Sequence, residues 1–126
     1  MAAPTISDDL RRFILTKIAS VPHLEALLLL RASPDEWTGD VVARRLYVDE
    51  RTALKLLDEL CAMGALTVTP EKSYRYAPKS AELAELIDRL ATAYSMNLVG
   101  ISQLIHSRMD RQVQQFADAF NWRKDR

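Results

Sequence analysis

Trp37-Thr38-Gly39-Asp40-Val41-Val42-Ala43-Arg44-Arg45-Leu46-Tyr47-Val48-Asp49 runs straight into Glu50-Arg51-Thr52-Ala53-Leu54-Lys55-Leu56-Leu57-Asp58-Glu59-Leu60, and Gly64-Ala65-Leu66 follows. Val42, Ala43 and Leu46 fall at helical spacing, with Thr38 placed to cap them. Tyr47-Val48-Asp49 is too short to be anything but a turn, and Asp49 is a second cap. Ala53, Leu56, Leu57 and Leu60 then mark the inward face of a helix over about 50–63, and Gly64 stands where a left-handed residue ends it. Leu66-Thr67-Val68-Thr69 and Ser73-Tyr74-Arg75-Tyr76-Ala77 read as two short strands around Pro70-Glu71-Lys72. Two helices on a tight turn, then a glycine and a hairpin, is the order of a helix-turn-helix with a wing.

Upstream, Ser7 and the acids Asp8 and Asp9 open a helix over about 8–20, carried by Leu10, Phe13, Ile14 and Ile18. A second helix over about 22–32 is nearly all apolar from Leu24 to Leu30, which predicts a buried centre. Downstream, Ser80 caps a long helix beginning at Ala81. Leu83, Ile87, Leu90, Tyr94, Asn97, Ile101 and Leu104 repeat at four and three, a heptad seam that predicts a dimer helix with Asn97 as its register-setting polar residue. The alternative use of that stripe is to close the chain's own core. Residues 110–126 read as a last helix with Val113, Phe116, Ala117 and Phe120 inward, followed by Trp122 and a basic end.

The stretch from Trp37 to Leu66 resembles the winged helix-turn-helix superfamily of bacterial regulators, the MarR-like and ArsR-like proteins among them. Ala43 lets two helices approach, Val48 plugs the turn, and Leu57 and Leu60 anchor the second helix. The resemblance implies a mostly α (α+β) fold: a winged helix-turn-helix domain over 1–79 with a two-stranded wing, and a C-terminal dimerisation arm over 80–126. It implies a cytoplasmic, homodimeric transcriptional regulator binding double-stranded DNA, with the second helix in the major groove. The matching positions are Asp49, Glu50, Arg51, Thr52, Leu54, Lys55, Asp58 and Glu59. Arg51 and Lys55 are the donors among them, one turn apart on one face. Arg44 and Thr52 would position the helix, and Lys72 and Arg75 would follow the backbone from the wing.

Charge opposes that reading in part. Seventeen basic and seventeen acidic residues cancel over 126 residues, so attraction to nucleic acid must be local. Over 38–69, Arg44, Arg45, Arg51 and Lys55 face five acids, Asp40, Asp49, Glu50, Asp58 and Glu59. With Leu54 expected toward solvent, this supports an alternative: a protein-interaction module on a winged-helix scaffold whose DNA binding is weakened or lost. A ligand-gated regulator, with a pocket between arm and core, fits the sequence equally well.

Enzyme chemistry finds little footing. His23 and His106 have no Cys or His at metal-ligand spacing, and Gly39, Gly64 and Gly100 are too scattered for a phosphate loop. Cys61 is the one cysteine, so no disulfide forms within the chain. Trp37, Tyr74 and Tyr76 are expected in packing. The longest apolar run, from Ala26 to Leu30, is far short of the roughly 18 residues of a membrane span. No catalytic residue, metal or cofactor is expected.

Overall fold

The computed structural model describes residues 6–107. The tail helix expected over 110–126 lies outside these residues. The chain forms α1 (Asp8–Lys17), α2 (Val21–Ala32), β1 (Trp37–Thr38), α3 (Gly39–Leu46), α4 (Glu50–Ala62), β2 (Leu66–Val68), β3 (Ser73–Tyr76), α5 (Ala81–Met96) and α6 (Leu98–Ser107). It is an α+β winged helix.

Helix ends follow the capping residues with two exceptions. Asp49 accepts from the Thr52 amide at 3.2 Å and Ser80 from the Leu83 amide at 3.1 Å, so α4 and α5 start as the sequence predicts. Ser20, unread as a cap, accepts from the His23 amide and opens α2 with Pro22 in its first turn. Ser7 and Thr38 occupy cap positions without a capping bond; their hydroxyls donate to Asp9 and Asp40 instead.

The wing has a third strand. The sequence predicts two; the structure adds β1, in the order β1-β3-β2, all antiparallel. Trp37 lies opposite Tyr74, and Thr38 opposite Ser73. Two residues carry no readable period, so this strand exists only because β3 offers it an open edge.

Leu24, Leu27 and Leu30 of α2 are fully buried, as expected of a central helix. Around them pack Phe13 and Ile14 of α1, Val42 and Ala43 of α3, Ala53, Leu57 and Leu60 of α4, and Tyr74 of β3. The core continues into Ile87, Leu90, Ile101 and Ile105. Arg89 of α5 donates to Asp9 at 2.7 and 2.9 Å, tying the arm to the start of α1. Tyr94 reaches Glu25 of α2 at 3.2 Å.

The arm is two helices, not one. The chain breaks at Asn97 (φ −147°, ψ 62°), whose Oδ1 accepts from the Gly100 amide at 3.1 Å. Asn97 thus caps α6 instead of standing on a continuous seam. Leu83, Ile87, Leu90, Ile101 and Leu104 are buried within the single chain, and Tyr94 is half-buried. At the break, Met96, Leu98 and Val99 are exposed at 62%, 55% and 63%. Among the described residues no single helix is long and apolar enough to cross a membrane.

Leu57 has no exposed surface and joins α4 to this core. Leu57→Ala is expected to cost about 2–5 kcal/mol, read as a lower urea midpoint with an unchanged slope.

Candidate nucleic-acid interface

An amphipathic α4 is anchored by its buried Ala53, Leu56, Leu57 and Leu60. Arg51, Thr52 and Lys55 are exposed on it, and Arg51 and Lys55 share a face one turn apart. About 100° around the helix runs a second row, Glu50, Leu54 and Asp58. This row lines a groove of about 270 Å³ against the wing and the start of α3, with Asp40, Glu71, Lys72 and Tyr74 on its other walls. The cleft between helix and wing is therefore acidic, and the basic face lies beside it.

Leu54 does not face solvent as expected. It is half-buried, and its Cδ2 stands 2.5 Å from where a Cβ on Gly39 would be. Gly39 allows this closeness: a Cβ there would force Leu54 to shift where α3 starts across α4. An apolar residue in the recognition row is thus explained by packing within the chain.

The acids of α4 are also engaged. Tyr74, fully buried on β3, donates its hydroxyl to Asp58 Oδ1 at 2.7 Å. Glu59 Oε1 lies 3.4 Å from Nε2 of His23, whose Nδ1 is 2.6 Å from Ser20 Oγ. Neither Asp58 nor Glu59 pairs with Arg51 or Lys55, the pairing that a solvated helix face would favour. Among the described residues, Arg51, Lys55, Lys72 and Arg75 form no ion pair with a protein carboxylate. Arg44 does, to Asp40 at 3.6 Å, with both side chains largely exposed. Thr52 directs its hydroxyl to the Asp49 carboxylate, so it holds the cap. That bond holds the Asp49 carboxyl below the usual carboxylate range, with the Thr52 amide adding to it.

On the wing, β3 alternates: Tyr74 points inward and Arg75 outward, opposite Thr67 of β2. The tip is closed by Lys72 N–H to Thr69 O and Thr69 N–H to Ser73 O, both 2.9 Å, and Lys72 takes a left-handed φ of 65°. Arg45 was not among the expected site residues. Its guanidinium lies 5.6 Å from the centre of the Trp37 ring, a cation–π distance. Nothing in the sequence signals that contact, because it depends on the unread strand β1. Trp37 itself is buried and donates Nε1–H to Ser33 O at 2.9 Å.

Other sequence candidates take packing roles. Cys61 is half-buried, and burial, then the nearby Asp58, pushes its thiol up and away from the reactive thiolate. Asp88 stays exposed and accepts from Arg31 Nε at 2.9 Å. A separate apolar groove of about 410 Å³ lies between the start of α1 and α5, floored by Ile6, Leu10, Ala93 and Met96, with Glu85 and Arg89 at its margin.

No protein-family model and no curated protein matches the chain. Solved structures do. The PcaV transcriptional regulator from Streptomyces coelicolor is similar at a TM-score of 0.52 and 21% identity, over 87% of this chain and 88% of that one. PcaV in complex with its natural ligand gives 0.50 and 21%, over 87% and 82%. A point mutant of ZitR from Lactococcus lactis gives 0.50 and 12%, over 98% and 83%. What the chain shares with them is the winged-helix fold, which the resemblance to MarR-like and ArsR-like regulators implied.

The Tyr74–Asp58 bond joins wing to helix, and its removal has two readable effects. Tyr74→Phe is expected to lower stability by about 0.5–1.5 kcal/mol, since Asp58 is exposed and can hydrate. Burial first, then the Asp58 bond, raises the Tyr74 hydroxyl well above the ordinary phenol value. The folded state therefore favours the protonated phenol. That stability is complete below the ordinary value near pH 10 and is lost as pH rises toward the folded value. The alkaline limb of a stability–pH curve should be shallower in Tyr74→Phe.

Proposed function

We propose that this chain is a DNA-binding transcriptional regulator that acts as a homodimer. The observation that carries the reading is the separation of charge on α4. Among the described residues its basic side chains, Arg51 and Lys55, form no ion pair, while Asp58 and Glu59 are drawn to Tyr74 and His23. In this reading α4 enters the major groove, Arg51 and Lys55 meet base edges and phosphates, and Lys72 and Arg75 follow the backbone from the wing. Arg44 joins them readily, because an exposed pair such as Arg44–Asp40 holds it only weakly. Thr52 positions the helix through its cap, by fixing the first turn.

The homodimer is assigned to the arm. With most seam residues taken up by the chain's own core, the large apolar side chains that the described part of the arm exposes to a second copy are Met96, Leu98 and Val99 at the α5–α6 break. A two-fold contact there would set two α4 helices for half-sites about one DNA turn apart. Ligand control is a further reading, favoured by the apolar groove between α1 and α5, whose volume falls in the range of small-molecule sites. One of the similar structures holds a natural ligand.

Wild type should retain duplex DNA at micromolar protein in low salt, with affinity falling steeply as salt rises. Arg51→Ala with Lys55→Ala should weaken binding by about 10-fold or more and flatten the salt dependence by about one phosphate contact per residue lost. Unchanged affinity would remove this site assignment, and absence of any retention would favour the protein-interaction module. Sedimentation velocity should show a dimer for wild type and a monomer for Leu98→Glu; a dimer in both would move the contact elsewhere.

A further inference from the structure

The turn between α3 and α4 is closed by Tyr47, in the left-handed region at φ 58°, ψ 42°. Its amide and that of Val48 both bond to Ala43 O, the second at 3.0 Å. This ending reverses the chain out of a helix and requires a left-handed residue. The chain uses the same device once more. At the end of α4 the Ala65 amide bonds to Leu60 O at 3.1 Å, and the left-handed position holds Gly64 at φ 91°. Glycine takes that conformation without a steric penalty; a residue with a Cβ does not.

Tyr47 recovers nothing for the fold in return. It is 95% exposed, so its ring packs on no part of the core. A small polar residue would close the turn at lower cost. Among the described residues only one other non-glycine residue has a positive φ, Lys72 at the tip of the wing. Both are exposed, and they sit in the turn that opens α4 and the turn that ends the wing. Strain of this kind gathers where a side chain must be presented to a partner.

The neighbourhood narrows the partner's chemistry. Arg44 and Arg45 precede the turn, Asp49 and Glu50 follow it, and Arg51 stands one helical turn on. With charge nearly balanced, an uncharged donor on a flat apolar ring suits a surface that alternates sugar with phosphate. We propose that Tyr47 is a DNA-backbone contact: its ring lies against a deoxyribose and its hydroxyl donates to a phosphate oxygen beside the start of α4. The assignment rests on the DNA-binding reading and adds to it a residue that works without charge.

Two variants test it on the full chain, with a mixed-sequence duplex as probe. Asparagine tolerates the left-handed region, so Tyr47→Asn should keep or raise the urea midpoint while affinity for duplex falls about 10-fold. Tyr47→Phe keeps the ring and should lose about 3-fold, the worth of one uncharged hydrogen bond. In both, the salt dependence should stay at the wild-type slope, because no counterion-releasing charge is removed; Lys55→Ala supplies the contrasting change of slope. Wild-type affinity in Tyr47→Asn overturns the inference alone, leaving DNA binding intact. A lowered urea midpoint in Tyr47→Asn also overturns it, by showing that the ring supports the fold. Failure of wild type itself to bind duplex in low salt overturns both readings together.

Discussion

A helix of 3.6 residues per turn cannot bury Ala53, Leu57 and Leu60 without turning Arg51 and Lys55 outward, and the rest of the molecule is arranged around that constraint. The burial fixes α4 against α2 and α3, where Gly39 lets Leu54 close the remaining gap. Once α4 is fixed, its two remaining faces have assigned neighbours. One row meets the wing and the start of α3; the other meets solvent. The helix-turn-helix is thus less a separate motif than the outer side of the hydrophobic core.

Electrostatics follows from the same placement. A net charge of zero gives the whole chain no long-range pull on an anion. What the fold supplies is sorting at short range. Asp58 is taken by a buried tyrosine from β3, and Glu59 lies beside a histidine from α2 whose other ring nitrogen meets Ser20. Each contact also ties α4 to a neighbouring element, so these two acids help to hold the helix in position. Among the described residues Arg51 and Lys55 are exposed and form no ion pair.

The arm shows how one sequence pattern can serve a different end. A four-three repeat of apolar residues satisfies a partner helix and a domain core equally well. Here Asn97 decides between them locally: its side chain bonds to the Gly100 amide, which starts a new helix and turns Ile101 and Ile105 into the same core as Ile87 and Leu90. Arg89 on Asp9 and Tyr94 on Glu25 then hold the arm to α1 and α2.

By itself the sequence determined the helices of the head, the turn at Tyr47, the hairpin and the identity of the core, because each rests on spacing and on caps that act within a few residues. It also placed Arg51 and Lys55 on one exposed face, since helical period alone requires it. The fates of Leu54, Asp58, Glu59 and Arg45 were left open, and so were the third strand and the break at Asn97. Each was decided by a neighbour distant in the chain: Gly39 under Leu54, Tyr74 at Asp58, His23 at Glu59, Trp37 beneath Arg45, and β3 beside β1. The break belongs with them, for Asn97 could stand on a seam or cap a helix, and the core that receives Ile101 selects the cap. Local periodicity says which way a side chain points; only tertiary packing says what it meets there.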